Sequence, residues 1–335
     1  MKSKFRIETV NTEEHYKGLR TLWCEVFGDE PSFVDSMYAN FGDDITGYVA
    51  IDDEGRIGSA LTCFLCGEFR GKPVYTSYAI CTDPELRGLG LAGALVKRAR
   101  DEVLEKGGIS LISPAEPSLE MFYGAHGYVP FFFVDARDTG AGEDENEDED
   151  FIFDAEDAEY KKADPGMELK PLSFAEYNIY REEFLKDIPH VKLNEHMLRL
   201  VQSESTMPDG ESGLLLINGG DAICALNYVN ATEDSIADGA REESAAISVA
   251  GASGTNGGGS LEIEELLVNP LLSSISSEIA DEMARRLAAH FERDAIRFKT
   301  PGYAQCQSMA AGITESDIKE NEAGGIPAYY GFPVQ

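Results

Sequence analysis

"DPELRGLGLAGALVKRAR", residues 83–100, decides how the first part of this chain folds. The run before it, "VYTSYAIC" (74–81), is apolar, aromatic and β-branched and reads as a strand. From Leu91 the pattern is that of an amphipathic helix reaching Lys106. The junction between the two holds Pro84, Arg87, Gly88 and Gly90. The first N–H groups of a helix have no partner within it and carry the positive end of its dipole. Glycines there remove side chains and let an anion approach the backbone, and Arg87 adds a positive charge beside it. The stretch reads as a cradle for a pyrophosphate. Close packing of helix on sheet, with Arg87 a solvated charge, is the other use of the same residues, and the motif by itself leaves both open. "GLGLAG" lacks the spacing of a dinucleotide-binding turn, and no lysine followed by serine or threonine makes it a nucleoside-triphosphate loop.

Upstream, "FRIETV" (5–10) is a short strand leading into "NTEEHYKGLRTLWCEVFG" (11–28), where Leu19, Leu22, Trp23 and Val26 recur at helical spacing. A second helix covers residues 31–41, opened by proline. The strands "GYVAID" (47–52), "IGSALTCFLCGEF" (57–69) and "VYTSYAIC" follow, joined by "DDEGR" and "RGKP", whose glycines suit tight hairpins. Downstream come a buried strand "ISLISPA" (109–115), a short helix "PSLEMFYGAHG" (117–127) and a strand "YVPFFFVDA" (128–136). The predicted order is β-α-α-β-β-β-α-β-α-β.

The second half repeats this order, and we read it as an internal duplication. "MELKPLS" (167–173) is a strand, "AEYNIYREEFLK" (175–186) and "LNEHMLRLVQ" (193–202) are helical, and "GLLLING" and "DAICALNYVN" (213–230) form a hairpin. "LEIEELLVNP" (261–270) is a strand, "SEIADEMARRLAAHFE" (277–292) a helix, "AIRFKT" (295–300) a strand, "AQCQSMAAGI" (304–313) a short helix and "PAYYGFPVQ" (327–335) an extended end. Dense acidic charge in residues 135–160, with one arginine, resists compact folding and marks a seam. Residues 230–260, rich in Gly, Ser and Ala, read as a flexible insertion. The expected division is therefore a first domain over 1–137, an acidic linker over 138–165 and a second domain over 166–335.

The 335 residues carry 28 basic against 61 acidic side chains, a formal net charge of −33. Such a surface repels nucleic acid and anionic membranes, and favours cationic partners such as amines. "MKSKFRIETV" has no apolar stretch of signal-peptide length, and no later run approaches a membrane span, so a cytoplasmic protein is expected. The six cysteines form no disulfide framework. Cys63 and Cys66 lie on a predicted strand where positions three apart face opposite sides, so buried thiols are expected and no metal. His190 and His196 have no partner at ligand spacing.

Arg87-Gly88-Leu89-Gly90-Leu91-Ala92 resembles the R/Q-x-x-G-x-G/A signature of the GCN5-related N-acetyltransferases, and residues 1–137 follow that family's order of elements. "MFYGAHGYVPF" resembles its second signature. The resemblance implies a mixed α/β fold, in two tandem domains of this type, with acetyl-coenzyme A as cosubstrate. It places the pyrophosphate on the backbone of Arg87, Gly88, Leu89, Gly90, Leu91 and Ala92, and the pantetheine arm along the strand at Ile80, Cys81 and Thr82. It implies transfer to a primary amine of a small molecule or peptide by direct attack, with an oxyanion donor near Ile80 and Tyr123 as acid to the leaving sulfur. Tyr123 is otherwise a core aromatic; Tyr128, the second aromatic of that motif, is read as structural, and His126 as exposed. "VYTSYAIC" lacks the glutamate some members use as base, which leaves water, Glu25, Asp29 and Glu116 as candidates.

The chain also resembles the tandem acetyltransferases of the enhanced-intracellular-survival type, which would nominate the terminal carboxylate of Gln335 as base. In the second half "LLSSISSE" (271–278) replaces the cradle, so that domain is expected to be degenerate, shaping an acceptor cleft or an oligomer interface. A non-catalytic acyl-CoA-binding sensor or scaffold is the alternative reading.

Overall fold

The computed structural model describes residues 4–140, 167–207, 210–229, 260–291, 293, 295–323 and 328–332. Most of the expected linker (141–165), most of the insertion at 230–260 and Gln335 lie outside the described residues. In chain order the first elements are β1 (Arg6–Thr9), α1 (Glu13–Phe27), α2 (Pro31–Phe41), β2 (Ile45–Ile51), β3 (Ile57–Phe69) and β4 (Lys72–Thr82). Then come α3 (Leu91–Glu105), β5 (Ile109–Ile112), α4 (Ser118–Ala125), β6 (Val129–Gly140), β7 (Leu169–Pro171), α5 (Phe174–Phe184), β8 (Lys192–Leu193) and α6 (Glu195–Glu204). The remainder are β9 (Leu214–Ile217), β10 (Ala222–Val229), β11 (Ser260–Val268), α7 (Ser276–His290), β12 (Ala295–Pro301), β13 (Gln305–Ala311) and α8 (Glu315–Ala323). Up to β6 the order is the one predicted.

Contacts gather the chain into two compact units that are not contiguous in sequence. The first comprises residues 1–133, 188–200 and 306–335, the second 134–187 and 201–305. A linear division at 138–165 misses this because β6 runs through that boundary to Gly140. Two segments expected in the second half, 188–200 and 306–335, group with the first unit.

In the first unit the sheet order is β1-β2-β3-β4-β5-β13. All neighbours are antiparallel except β4 and β5. β8 joins the same sheet by pairing with the far end of β3, through Gly67 and Leu193. Gly67 is obligatory there, because a Cβ would stand 2.1 Å from the Lys192 carbonyl oxygen. "AQCQSMAAGI", predicted as helix, contains β13: Met309 pairs with Ile112 and Ala311 with Ser110. Alanine, methionine and glutamine favour helix, but the pairing satisfies the buried edge of β5, and tertiary demand overrides propensity.

α1 begins where Thr12 Oγ1 accepts the His15 N–H at 3.1 Å and ends at Gly28, in the left-handed conformation (φ 81°). It buries Leu19, Leu22 and Trp23 on one face of the sheet. α3 and α4 cover the other face, where Leu95, Val96, Ala99 and Val103 meet Tyr48, Leu61, Ile112 and Tyr123 in one apolar cluster.

In the second unit the order β7-β9-β10-β11-β12-β6 repeats that of the first. Again one pair is parallel, β11 with β12, and the rest are antiparallel. α7 packs Met283, Ala284 and Leu287 on it. The duplication expected from the sequence is thus visible in the strand order and sense of each sheet.

Candidate active site

β4 departs from regular strand geometry at Ala79, whose φ of 49° lies in the left-handed region. For a residue with a Cβ this conformation costs about 1–3 kcal/mol, a strain that persists where surroundings enforce it. The cause is a bulge: Thr62 faces Tyr78 and Ala60 faces Cys81, so Ala79 and Ile80 together oppose Leu61. Side-chain alternation changes phase across it. Tyr78 lies edge-on to Trp23 (centroids 5.3 Å apart) on the α1 face, whereas Ile80 packs into the cluster that contains Tyr123.

The bulge also parts β4 from β5. Their parallel pairing ends at Ser77 with Ile112, while β4 stays on β3 through Cys81 and Thr82. Ala79, Ile80, Cys81 and Thr82 therefore present an edge with no β5 partner. Ser59 Oγ fixes the far side of this edge by donating to the Cys81 carbonyl at 2.6 Å.

Beyond Thr82, Asp83 Oδ1 accepts the Glu85 N–H at 2.9 Å, shaping a single 3-10 turn over Pro84–Leu86. Arg87, Gly88, Leu89 and Gly90 are all exposed, and Leu91 is buried as α3 begins. Gly88 and Gly90 both have left-handed φ values, 79° and 77°. A Cβ on either would meet nothing within 4 Å. Conformation and an open approach to the backbone, not packing, require these two glycines. Close helix packing is served by Gly93 instead, where a Cβ would stand 2.5 Å from His126 Nε2. Among the described residues Arg87 has no ion-pair partner.

Tyr123 lies on α4, 7% exposed, edge-on to Phe122 and Tyr128. Burial pushes its hydroxyl up to about 12, so it stays protonated at neutral pH. Tyr128 is held by Ser110 at 2.8 Å, in keeping with a structural part. His126 is half-buried, its Nδ1 2.8 Å from the Phe122 carbonyl, and not exposed as expected. The packing of α4 against Gly93 explains the difference.

Glu25 is exposed, Asp29 Oδ2 accepts the Trp23 Nε1–H at 2.6 Å, and Glu116 accepts from Ser118 Oγ at 2.9 Å. His190 Nδ1 lies 2.8 Å from the Ile188 carbonyl, and His196 Nε2 3.8 Å from Asp44.

All six cysteines are free thiols. Burial pushes Cys63, Cys66 and Cys81 up to about 12, which leaves almost no thiolate at neutral pH. Iodoacetamide at pH 7.5 is therefore expected to leave the rate of any reaction at this site within about twofold of its starting value. A rate assay paired with peptide mapping checks this, since alkylation of Cys24 or Cys306 should be silent.

Residues 43–130 match the acetyltransferase (GNAT) domain family. Among curated proteins, none matches in sequence. The fold is that of solved structures of the same class. One is a probable N-acyltransferase from Enterococcus faecalis V583, with TM-score 0.54 and 14% identity, covering 92% of this chain and 72% of that one. Another is a GCN5-related N-acetyltransferase from Anabaena variabilis, with TM-score 0.55 and 14% identity, covering 91% and 72%. The chain thus carries an acetyltransferase domain. Its domain over residues 43–130 is that of a GNAT N-acetyltransferase, with acetyl-coenzyme A as cosubstrate. No helix among the described residues is long and apolar enough to cross a membrane.

Proposed function

We propose that the first unit transfers the acetyl group of acetyl-coenzyme A to a primary amine of a small molecule or peptide, by direct attack. The observation that carries this reading is the sequence of three features along one stretch: the strained bulge at Ala79, the unpaired edge to Thr82 and the open glycine turn. The backbone from Arg87 to Ala92 holds the pyrophosphate. The pantetheine arm lies along Ile80, Cys81 and Thr82 as an added strand, which brings the thioester to the gap between β4 and β5.

There the neutral amine nitrogen attacks the carbonyl carbon, and a C–N bond forms as the carbonyl oxygen takes up negative charge. A backbone N–H beside Ile80 stabilises that oxygen. Collapse breaks the C–S bond, and the Tyr123 hydroxyl gives its proton to the departing thiolate. The amine proton leaves to water, and water returns a proton to the Tyr123 phenolate. The free thiols do not enter, consistent with their raised pKa values.

The second unit keeps a bulge in the corresponding strand, at Glu264, and β11 pairs with β12 only as far as Ile263. Lys299 on β12 reaches Glu264 Oε2 at 2.6 Å, bridging the two strands at this point. This ion pair, together with "LLSSISSE" in place of a cradle, supports a degenerate domain that takes no coenzyme. The net charge of −33 supports a cationic acceptor.

Gly90→Glu is expected to weaken acetyl-coenzyme A binding by at least ~100-fold. It forces a side chain into a left-handed position and sets a carboxylate where the phosphates approach. Unchanged calorimetric affinity would remove the cradle from the argument. Thiol release on a panel of amines then separates a transferase from a coenzyme-binding sensor, which would show no turnover.

A further inference from the structure

The turn that precedes the cradle carries two carboxylates, Asp83 and Glu85, within four residues of Arg87. A diphosphate approaching Arg87–Ala92 meets their repulsion, in a chain already strongly anionic. Arg56, in the turn between β2 and β3, faces both. Its Nη2 donates to Asp83 Oδ2 at 2.5 Å and to Glu85 Oε2 at 3.0 Å. Asp83 is held well below the usual carboxylate range by that guanidinium, so it is fully ionised at neutral pH. The turn is anchored independently of Arg56. The Asp83 N–H donates to the Gly58 carbonyl at 3.0 Å, and the Leu86 N–H donates to the Asp83 carbonyl at 2.8 Å. An ion pair this exposed contributes little to stability.

We infer that Arg56 is a positioning residue for the cosubstrate: it cancels the charge of Asp83 and Glu85 so that the diphosphate of coenzyme A can settle on the adjacent backbone. The inference rests on the cradle reading above. With Arg56 present, the four charged groups of this turn (Arg56, Asp83, Glu85 and Arg87) balance; without it the turn is net negative at the point where an anion must bind. An arginine suits the task because one planar, permanently charged group reaches two carboxylates.

Calorimetric titration of coenzyme A at low ionic strength tests this. Arg56→Met is expected to weaken binding about five- to tenfold, a loss that shrinks as salt screens the turn. kcat at saturating acetyl-coenzyme A should stay within about twofold, and Arg56→Lys should restore most of the affinity. The double variant Asp83→Asn, Glu85→Gln should bind at least as tightly as the parent, and with Arg56→Met added it should still bind no more weakly than the parent, because the turn keeps the positive charge of Arg87 with no carboxylate against it. If the double variant instead weakens binding as Arg56→Met does, Arg56 only holds the loop and the inference fails. It fails equally if Arg56→Met binds like the parent. A parent protein that does not bind coenzyme A at all overturns the cradle reading, which is a different outcome.

Discussion

Tyr123→Phe is expected to lower kcat by about two to three orders of magnitude while KM for acetyl-coenzyme A stays within about twofold. The phenyl ring keeps the edge-on contacts with Phe122 and Tyr128, so the apolar cluster survives and only the hydroxyl is lost. That hydroxyl is buried and protonated, its ionisation pushed up to about 12 by desolvation alone. The sign of the pH dependence follows. A raised pKa keeps the acid form present across neutral pH, so the rate should climb as the acceptor amine deprotonates and show no alkaline fall from Tyr123 below about pH 11. Steady-state kinetics of both proteins from pH 6 to 10 checks the assignment. An undiminished kcat in the variant returns Tyr123 to the role of a core aromatic.

The second large effect is on stability. In the second unit Tyr177, Arg181 and Glu265 are fully buried. Tyr177 donates its hydroxyl to Glu265 Oε2 at 2.7 Å, and Arg181 Nε stands 3.2 Å from both carboxylate oxygens. Arg181→Met leaves the carboxylate in the interior without that cation, and the expected cost is about 3–5 kcal/mol. For a unit of this size the calorimetric transition should fall by on the order of 10 °C. Replacing all three groups by apolar ones (Tyr177→Phe, Arg181→Met, Glu265→Met) should recover most of the loss, because no uncompensated charge remains. A single variant that melts like the parent would show that Glu265 finds another partner or takes up a proton.

The elements from β1 to β6 were legible because local signals agree there. Leu19, Leu22 and Trp23 mark one face of α1, glycines mark the hairpin turns, and Gly88 and Gly90 mark the start of α3. What escaped the sequence is backbone geometry that ordinary residues adopt under tertiary constraint. Nothing about an alanine announces a left-handed φ, yet Ala79 sets the phase of β4 and parts it from β5. Glu265 was hidden for a related reason. In "LEIEELLVNP" plain alternation sets Glu265 on the same face as Ile263, but the extra residue at Glu264 shifts the phase, and Glu265 is buried against Tyr177 and Arg181 instead. The docking of residues 188–200 depends on the missing side chain of Gly67, a fact that only the partner backbone reveals. Arg56 escaped as well, since its partners lie 27 and 29 residues along the chain.

The pairing of β5 with β13 bears on how the protein is made. Met309 reaches Ile112 across roughly 200 residues, the kind of long-range contact that makes folding slow. Most multidomain chains fold their leading domain while the rest is still being synthesised. Here the leading segment leaves the ribosome with one edge of β5 lacking its native partner. At about 5–20 residues per second the edge waits on the order of 10–40 s before β13 emerges. A free strand edge is a template for pairing with other chains, so this interval is when a nascent copy is most prone to associate with its neighbours. The cradle, complete in sequence by residue 92, belongs to a unit whose sheet is closed only by the last part of the chain.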